Sequence, residues 1–197
     1  MTRIFKENIN TIEHWNKVYE TELAKNKIRI EPERFEKVSN MIPDGARVLD
    51  VGCGTGEFVK FLHSKKNKCG ISGIDFSVKA IEYAKKTCPE CAFFVKDVMQ
   101  SSEMFTDVEY IVCFETIEHL DEPLLFVEEM YKTLKKGGIL FLSTPYNNQV
   151  SGGKEHIHSF LFKDMIEYFE VFKKWAPIVF MRYSTNLKNM LIIVKKI

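Results

Sequence analysis

The sequence predicts an α/β protein with a doubly wound, mostly parallel sheet of seven strands that ends in an antiparallel hairpin. Short apolar runs alternate with segments of helical spacing, as in a chain that passes repeatedly from a buried parallel strand to a covering helix. The first of these strands is followed by a glycine-rich turn at Gly52, Gly54 and Gly56. The last two apolar runs, at 171–181 and 189–194, are joined by a loop without a crossover helix, so we expect them to pair antiparallel.

The elements follow one another in a regular order. Two amphipathic helices are predicted before the first strand, one over 8–24 and one that opens with Pro32. We expect strands at 48–51, 69–74, 92–95, 110–114 and 139–143, and helices that begin near 57, 77, 123 and 162. The whole chain, 1–197, is predicted to form one domain, in which 1–45 is a helical lid and 46–197 is the core.

Composition excludes several classes of protein. A chain of 197 residues with 45% hydrophobic and 28% charged residues and a net charge of +1 lacks the basic surplus of a dedicated nucleic-acid binder. No apolar run approaches the roughly 18 residues that span a bilayer, and the first residues have no apolar signal segment, so we expect a cytoplasmic protein that does not enter membranes. Five cysteines, an odd number, indicate reduced thiols. The Cys88-Pro-Glu-Cys91 run has no second pair, which favours a plain helix-to-strand connection over a metal or redox site.

The glycine-rich turn predicts a ligand site, because glycine permits positive φ and lets a ligand approach the main chain. A dinucleotide fingerprint would place a third glycine where this chain has Glu57. A carboxylate beside a pyrophosphate is unfavourable, whereas a ligand with ammonium and sulfonium charges tolerates both Asp50 and Glu57. The run 48–56, Val-Leu-Asp-Val-Gly-Cys-Gly-Thr-Gly, resembles the first motif of the class I S-adenosylmethionine-dependent methyltransferases. That resemblance covers nearly the whole chain and implies a Rossmann-like core over 46–197.

Ligands of open parallel sheets sit beyond the carboxyl ends of the strands, so the residue that closes each strand is informative. Asp75 closes the second strand and is placed to accept both ribose hydroxyls; its alternative role is to cap the next helix, a role that Ser77 can fill. The resemblance implies that Asp97 binds the adenine amino group, although a plain turn aspartate is the alternative. The full predicted cofactor set is Asp50, Gly52, Cys53, Gly54, Asp75, Phe76, Asp97, Val98, Phe114 and Glu115.

The segment 115–119, Glu-Thr-Ile-Glu-His, is the candidate chemical site. If it forms a helical turn, two carboxylates and an imidazole share one face, and the histidines of 156–158 reach the same rim. The segment resembles the ubiquinone-pathway O-methyltransferases and the small-RNA 3′-terminal ribose 2′-O-methyltransferases. The second resemblance implies Mg²⁺ bound by Glu115, Glu118, His119 and His158; in relatives without a metal these side chains only line the pocket.

The sequence therefore predicts a methyltransferase that uses S-adenosylmethionine and methylates an oxygen or nitrogen of a small molecule. His119 or His158 is the candidate general base, because imidazole titrates near neutral pH; the alternative is a bound metal that lowers the pKa of the acceptor hydroxyl. We expect a small pocket closed by four aromatic residues: Trp15, Tyr19, Tyr146 and Phe160. An RNA acceptor, and a cofactor-binding scaffold without activity, are the alternatives.

Overall fold

The computed structural model describes residues 1–5, 7–28, 30–66, 69–146, 154–171, 175–183 and 189–197. Its strands are β1 (Thr2–Arg3), β2 (Arg47–Val51), β3 (Gly70–Asp75), β4 (Ala92–Val95), β5 (Val108–Phe114), β6 (Leu134–Pro145), β7 (His158–Ser159), β8 (Trp175–Tyr183) and β9 (Asn189–Lys196). Its α-helices are α1 (Ile12–Ala24), α2 (Pro32–Ser39), α3 (Glu57–Lys65), α4 (Val78–Thr87), α5 (Pro123–Thr133) and α6 (Phe162–Val171). Short 3₁₀ helices span Val98–Glu103 and Ile117–His119.

Seven strands form the main sheet, in the order β4-β3-β2-β5-β6-β9-β8. The five strands from β4 to β6 are parallel, and β9 pairs antiparallel with both β6 and β8. The predicted fold class and its terminal hairpin are therefore confirmed. Strand order reverses between β2 and β5, which is where doubly wound sheets bind their ligands.

Both faces of the sheet are covered, as its continuous apolar strands require. In β2, Leu49 and Val51 belong to one buried cluster and Val48 belongs to the cluster on the opposite face. The helices begin where the sequence supplies the right residue: Pro32 opens α2, and the Ser77 hydroxyl accepts a hydrogen bond from the Ala80 N–H at the start of α4. No helix in the described part of the chain is both long enough and apolar enough to cross a membrane.

The structure departs from the sequence-based expectations in three places. β1 pairs with β7 in a small separate sheet that periodicity did not predict, because each strand has only two residues. The segment 115–119 is not one helical turn, since Glu115 has a φ of 52° and only Ile117–His119 is helical. Cys88 and Cys91 are joined by a disulfide, so the prediction of reduced thiols is wrong for this pair. Residues 147–153, which follow β6 after Tyr146, lie outside the described residues.

Candidate active site

A cleft lies beyond the carboxyl ends of the parallel strands, at the point where strand order reverses. It consists of two adjoining cavities of about 280 Å³ and about 540 Å³. Both cavities are lined by Trp15, Tyr19, Gly52, Glu115 and His119. Taken together, the two cavities fall in the size range of cofactor and small-molecule sites.

The glycine-rich loop forms the floor of the cleft. A side chain at Gly52 would stand 2.3 Å from the Thr116 hydroxyl oxygen, and one at Gly54 would stand 2.8 Å from the Tyr19 hydroxyl. Both glycines have positive φ, 73° and 53°, so a substitution at either position would be strained as well as crowded. Because Tyr19 belongs to α1, the contact at Gly54 shows that the first long helix lies directly over the loop.

Asp75 connects this loop to the start of α4. Its carboxylate accepts hydrogen bonds from the Gly54 N–H (2.9 Å) and the Ser77 N–H (2.8 Å). Burial raises its pKa to about 6, against the lowering effect of these two amides. Helix α4 is capped by the Ser77 side chain, so the carboxylate remains available to a ligand in the smaller cavity, which it lines.

The remaining predicted adenosine contacts line the same smaller cavity. Phe76, Asp97 and Val98 all contribute to its wall. The exposed Asp97 side chain also accepts a hydrogen bond from the Met99 N–H (2.9 Å), so it does cap a turn, as the alternative reading held. The two roles are compatible, because a carboxylate has four lone-pair positions.

Asp50 lines the larger cavity at the end of β2, together with Cys53 and Phe114. It is almost fully buried, and desolvation raises its pKa to about 8; Arg34 opposes that shift and Asp75 adds to it. A carboxyl group with this pKa is mostly protonated at pH 7. A cation placed in the cavity would therefore favour its ionisation.

Arg34 is a site residue that the sequence analysis missed. It lies on α2 with 7% of its surface exposed, and its Nη1 donates to Glu115 Oε1 (2.9 Å) and to the Ser143 hydroxyl (2.8 Å). Its guanidinium carbon stands 4.2 Å from the centre of the Phe114 ring. The sequence does indicate that Arg34 is buried, because it falls on the same helical face as the apolar residues Phe35 and Val38.

His119 lines both cavities and is held by the chain around it. Its Nδ1 lies 2.8 Å from the backbone oxygen of Glu155. Because a carbonyl can only accept, we assign the hydrogen to Nδ1, which leaves a lone pair on Nε2 of the neutral ring. Asn10, another residue that the sequence analysis missed, donates from Nδ2 to the backbone oxygens of Glu155 (2.8 Å) and His119 (3.2 Å).

Glu118 stands behind His119. One carboxylate oxygen, Oε2, accepts from the Thr144 hydroxyl (3.0 Å), and the other, Oε1, lies 3.9 Å from His119 Nε2. Only 1% of the Glu118 surface is exposed, and Oε1 has no hydrogen-bond partner in the described part of the chain. Burial, reinforced by the negative charge of Glu115, raises the pKa of Glu118 well above its ordinary value.

The four predicted Mg²⁺ ligands do not meet. Ligand atoms of Glu118, His119 and His156 lie within 4.8 Å of one another, whereas Glu115 is engaged with Arg34 and Ser143. His158 is absent from this group of described residues; it is 2% exposed, sits in β7 and packs near Phe160. Two imidazoles and one carboxylate also suit Mg²⁺ poorly, because that ion prefers oxygen ligands in octahedral geometry. The predicted Mg²⁺ site is therefore not supported.

Two further predictions about the pocket need correction. His158 lines neither cavity, and burial lowers its pKa to about 4, so it is not placed to act as the base. Of the four aromatic residues expected to close the pocket, Trp15 and Tyr19 do so. Phe160 is fully buried in the core and Tyr146 packs against Phe162. The roof of the cleft is thus built from α1.

Residues 19–181 match the protein family described as methyltransferase domain. The chain belongs to this family. Over 123 residues, this methyltransferase domain is 33% identical to the ubiquinone biosynthesis O-methyltransferase of Xanthomonas axonopodis pv. citri (strain 306). That match covers 58% of this chain and 50% of the relative, so the chain spans about half the length of the curated relatives it matches.

Solved structures give the same fold for the methyltransferase domain. A TehB-like SAM-dependent methyltransferase from Corynebacterium glutamicum matches with a TM-score of 0.68 and 20% identity, covering 94% of this chain and 98% of that one. The magnesium protoporphyrin IX methyltransferase from Synechocystis PCC 6803, solved with bound SAM, has a TM-score of 0.67 and 14% identity, covering 98% and 87%. The predicted resemblance to class I S-adenosylmethionine-dependent methyltransferases is confirmed.

Proposed function

We propose that this methyltransferase domain transfers the methyl group of S-adenosylmethionine to an oxygen or nitrogen of a small-molecule acceptor. The observation that carries the proposal is the position of His119. Its ring lines both cavities of a cleft whose floor is the glycine-rich loop, and its Nδ1 is held by the Glu155 carbonyl. A base is thus oriented beside a site shaped for the cofactor.

The cofactor would lie along the floor with its adenosine in the smaller cavity. There Asp75 would accept the ribose hydroxyls, Phe76 would pack on the adenine, and Asp97 with the Val98 amide would bind the edge of the ring. The methionine end would enter the larger cavity, where Asp50 can face the ammonium group and Arg34 can face the carboxylate. The backbone of 52–54 and the side chains of Phe114 and Glu115 would complete that end of the site.

For methyl transfer, the protein needs mainly to align the acceptor with the methyl group and to remove one proton from the acceptor. S-adenosylmethionine supplies a methyl group already activated by its sulfonium, so holding the acceptor in line accounts for much of the rate enhancement. The acceptor's oxygen or nitrogen forms the new bond to carbon as the sulfur–carbon bond breaks. The acceptor's proton passes to Nε2 of His119, and the Glu155 carbonyl stabilises the resulting imidazolium through Nδ1–H.

Glu118 supports this proton transfer as a positioning residue. Its buried Oε1 stands 3.9 Å from Nε2 of His119, so a proton that arrives on the imidazole is attracted by the carboxylate when that group is ionised. The Thr144 hydroxyl fixes the other oxygen and keeps the carboxylate facing the ring. A charge developing on His119 therefore has a nearby partner in a poorly solvated environment.

The cleft favours a small acceptor. Trp15 and Tyr19 roof it, and Asn16 pins their helix by accepting from the Ser77 hydroxyl (2.8 Å) and the Lys79 N–H (3.2 Å). The curated relatives are named as O-methyltransferases, which favours a hydroxyl over an amine. A short RNA is the competing acceptor, because the small-RNA group shares the Glu-x-x-Glu-His segment.

Release of S-adenosylhomocysteine tests the proposal directly. The purified chain is incubated with S-adenosylmethionine and a panel of phenols, catechols, amines and a short single-stranded RNA. Turnover with a phenol, catechol or amine that is abolished in His119→Gln supports the proposal. If RNA is the only acceptor that gives turnover, the small-molecule proposal is wrong and RNA is the acceptor. Binding of adenosylhomocysteine without turnover on any acceptor, together with a copurifying protein, would favour a scaffold.

A further inference from the structure

The Cys-x-x-Cys segment lies outside the cleft and has no part in the proposed function. Cys88 caps the end of α4, and the Cys91 N–H donates to the Cys88 carbonyl (3.0 Å). This turn has Pro89 in its second position, where proline's fixed φ is favourable. The turn brings the two sulfur atoms together, and here they are bonded.

Two further side chains of types that commonly bind metals stand beside Cys91. His63 is in the last turn of α3, and its Nε2 lies 3.9 Å from Glu90 Oε1. The ligand atoms of His63, Glu90 and Cys91 are all within 4.8 Å of one another. The side chains of His63 and Glu90 are 44% and 57% exposed, so both can rotate without disturbing the core.

We propose that the dithiol form of this segment binds one Zn²⁺ through Cys88, Cys91, His63 and Glu90. Four ligands drawn from thiolate, imidazole and carboxylate make a closed tetrahedral set for zinc. With bond lengths of about 2.0 to 2.3 Å, such ligand atoms lie roughly 3.3 to 3.8 Å apart. The present spacing therefore requires His63 and Glu90 to close by about 1 Å, which their exposure permits.

Disulfide and metal site are alternative states of the same pair of cysteines. A dithiol reductant supplies two electrons and two protons, the sulfur–sulfur bond breaks, and the reductant is converted to its own disulfide. Zinc then displaces the two thiol protons as the thiolates coordinate it. Reduction thus creates the site, and oxidation of the cysteines removes it.

The position of the site makes it structural. Helix α3 starts at the carboxyl end of β2 and returns toward the amino end of β3, and α4 returns in the same way toward β4. Their last turns therefore lie at the edge of the sheet opposite the cleft. A zinc ion there would tie the end of α3 to the α4–β4 connection without touching the cofactor.

Cobalt titration of the full chain tests the site, since tetrahedral Co²⁺ bound by thiolates gives charge-transfer absorption that a site without sulfur cannot give. The protein is reduced with a dithiol, freed of reductant without air, and titrated with Co²⁺ and then Zn²⁺. We expect one equivalent of Co²⁺ with this absorption, displacement by Zn²⁺, and no such absorption from the oxidised protein. Cys91→Ser should abolish it, and His63→Ala should weaken affinity by at least about tenfold.

Cys69→Ser is the matched control, because Cys69 is a half-buried free cysteine that is not one of the proposed ligands, and its Sγ lies 3.5 Å from the Pro43 backbone oxygen. It should bind Co²⁺ as the parent does. A Co²⁺ ion bound by Glu118, His119 and His156 would have no sulfur ligand, so it would not give this absorption. The proposal is overturned if the folded protein resists reduction, if the reduced protein gains two thiols yet shows no charge-transfer absorption, or if Cys69→Ser loses the signal as Cys91→Ser does.

Discussion

Asp50 should couple cofactor binding to the release of a proton. In the ligand-free protein desolvation raises its pKa to about 8, far above the ordinary value for an aspartate. The ammonium group that we place beside it favours the ionised form, so binding should drive the proton off. The same carboxyl group ionises at ordinary pH in the unfolded chain. The ligand-free fold therefore loses stability as pH rises from about 4 toward 8, and the cofactor restores it.

The expected magnitude follows from that pKa. At pH 7 a group of pKa about 8 is roughly 10% ionised, so binding should release about 0.9 proton. The dissociation constant for adenosylhomocysteine should then fall by about eightfold between pH 6.5 and pH 7.5. This window stays above the pKa of Asp75, about 6, so that group contributes little to the slope.

Calorimetry measures both quantities. Titrations of adenosylhomocysteine in two buffers of different ionisation enthalpy give the number of protons released, and a pH series gives the slope. Asp50→Asn keeps the shape of the side chain but cannot ionise. The variant should therefore bind adenosylhomocysteine more weakly, release no proton on binding, and show an affinity that does not change with pH. The histidines of the cleft are unchanged in that variant. The reasoning would be refuted if the dissociation constant changed equally with pH in Asp50→Asn and the parent. It would also be refuted if the observed binding enthalpy of the parent did not depend on the buffer.

Four further experiments test other residues of the cleft and of the fold around it. Asp75→Asn should weaken adenosylhomocysteine by about 1 to 3 kcal/mol in calorimetry, because the ribose hydroxyls lose acceptors. His119→Gln should lower kcat by roughly 10²- to 10⁴-fold with cofactor affinity retained; His158→Gln, the matched change outside the cleft, should leave kcat unaltered. Burial lowers the pKa of His158 to about 4, so protonation of this residue should cost the fold up to about 3 kcal/mol as pH falls from 6.5 to 4, and the unfolding free energy of the parent relative to His158→Leu should fall by that amount in urea titrations. Arg34→Met should destabilise the fold by about 3 kcal/mol or less, and adding Glu115→Gln should recover part of it, as a double-mutant cycle would show.

The fold was predictable from the sequence because its signals are local and agree with one another. Most strands of the main sheet are apolar runs, and most connections between the parallel strands have helical spacing, so the alternation predicts a parallel sheet. The errors fall at the edges of elements: α5 ends at Thr133 and β6 begins at Leu134, several residues before the predicted strand start at 139. The first small sheet was missed because two residues carry no periodicity.

The site was most predictable where a residue's position follows from the strand that it closes. Asp50 and Asp75 end neighbouring parallel strands, and both line the cleft. His119 also lines the cleft, at the rim beyond β5. Arg34 and Asn10 could not be located in this way, because they reach the site from segments that precede the sheet and whose docking depends on tertiary packing.

The two carboxylates of the Glu-x-x-Glu-His segment illustrate why the Mg²⁺ ligands that the resemblance implies do not come together here. Positive φ at Glu115 turns its side chain toward Arg34 and Ser143, whereas the 3₁₀ turn that follows carries Glu118 back to face His119. One carboxylate is thereby paired with a guanidinium, at the end of the cleft where we propose that the methionine moiety binds. The other is kept beside the imidazole of His119, the proposed base, with its pKa raised. A pair that looks equivalent in the sequence therefore divides into two groups with different partners, for which we propose a binding role and a proton-transfer role.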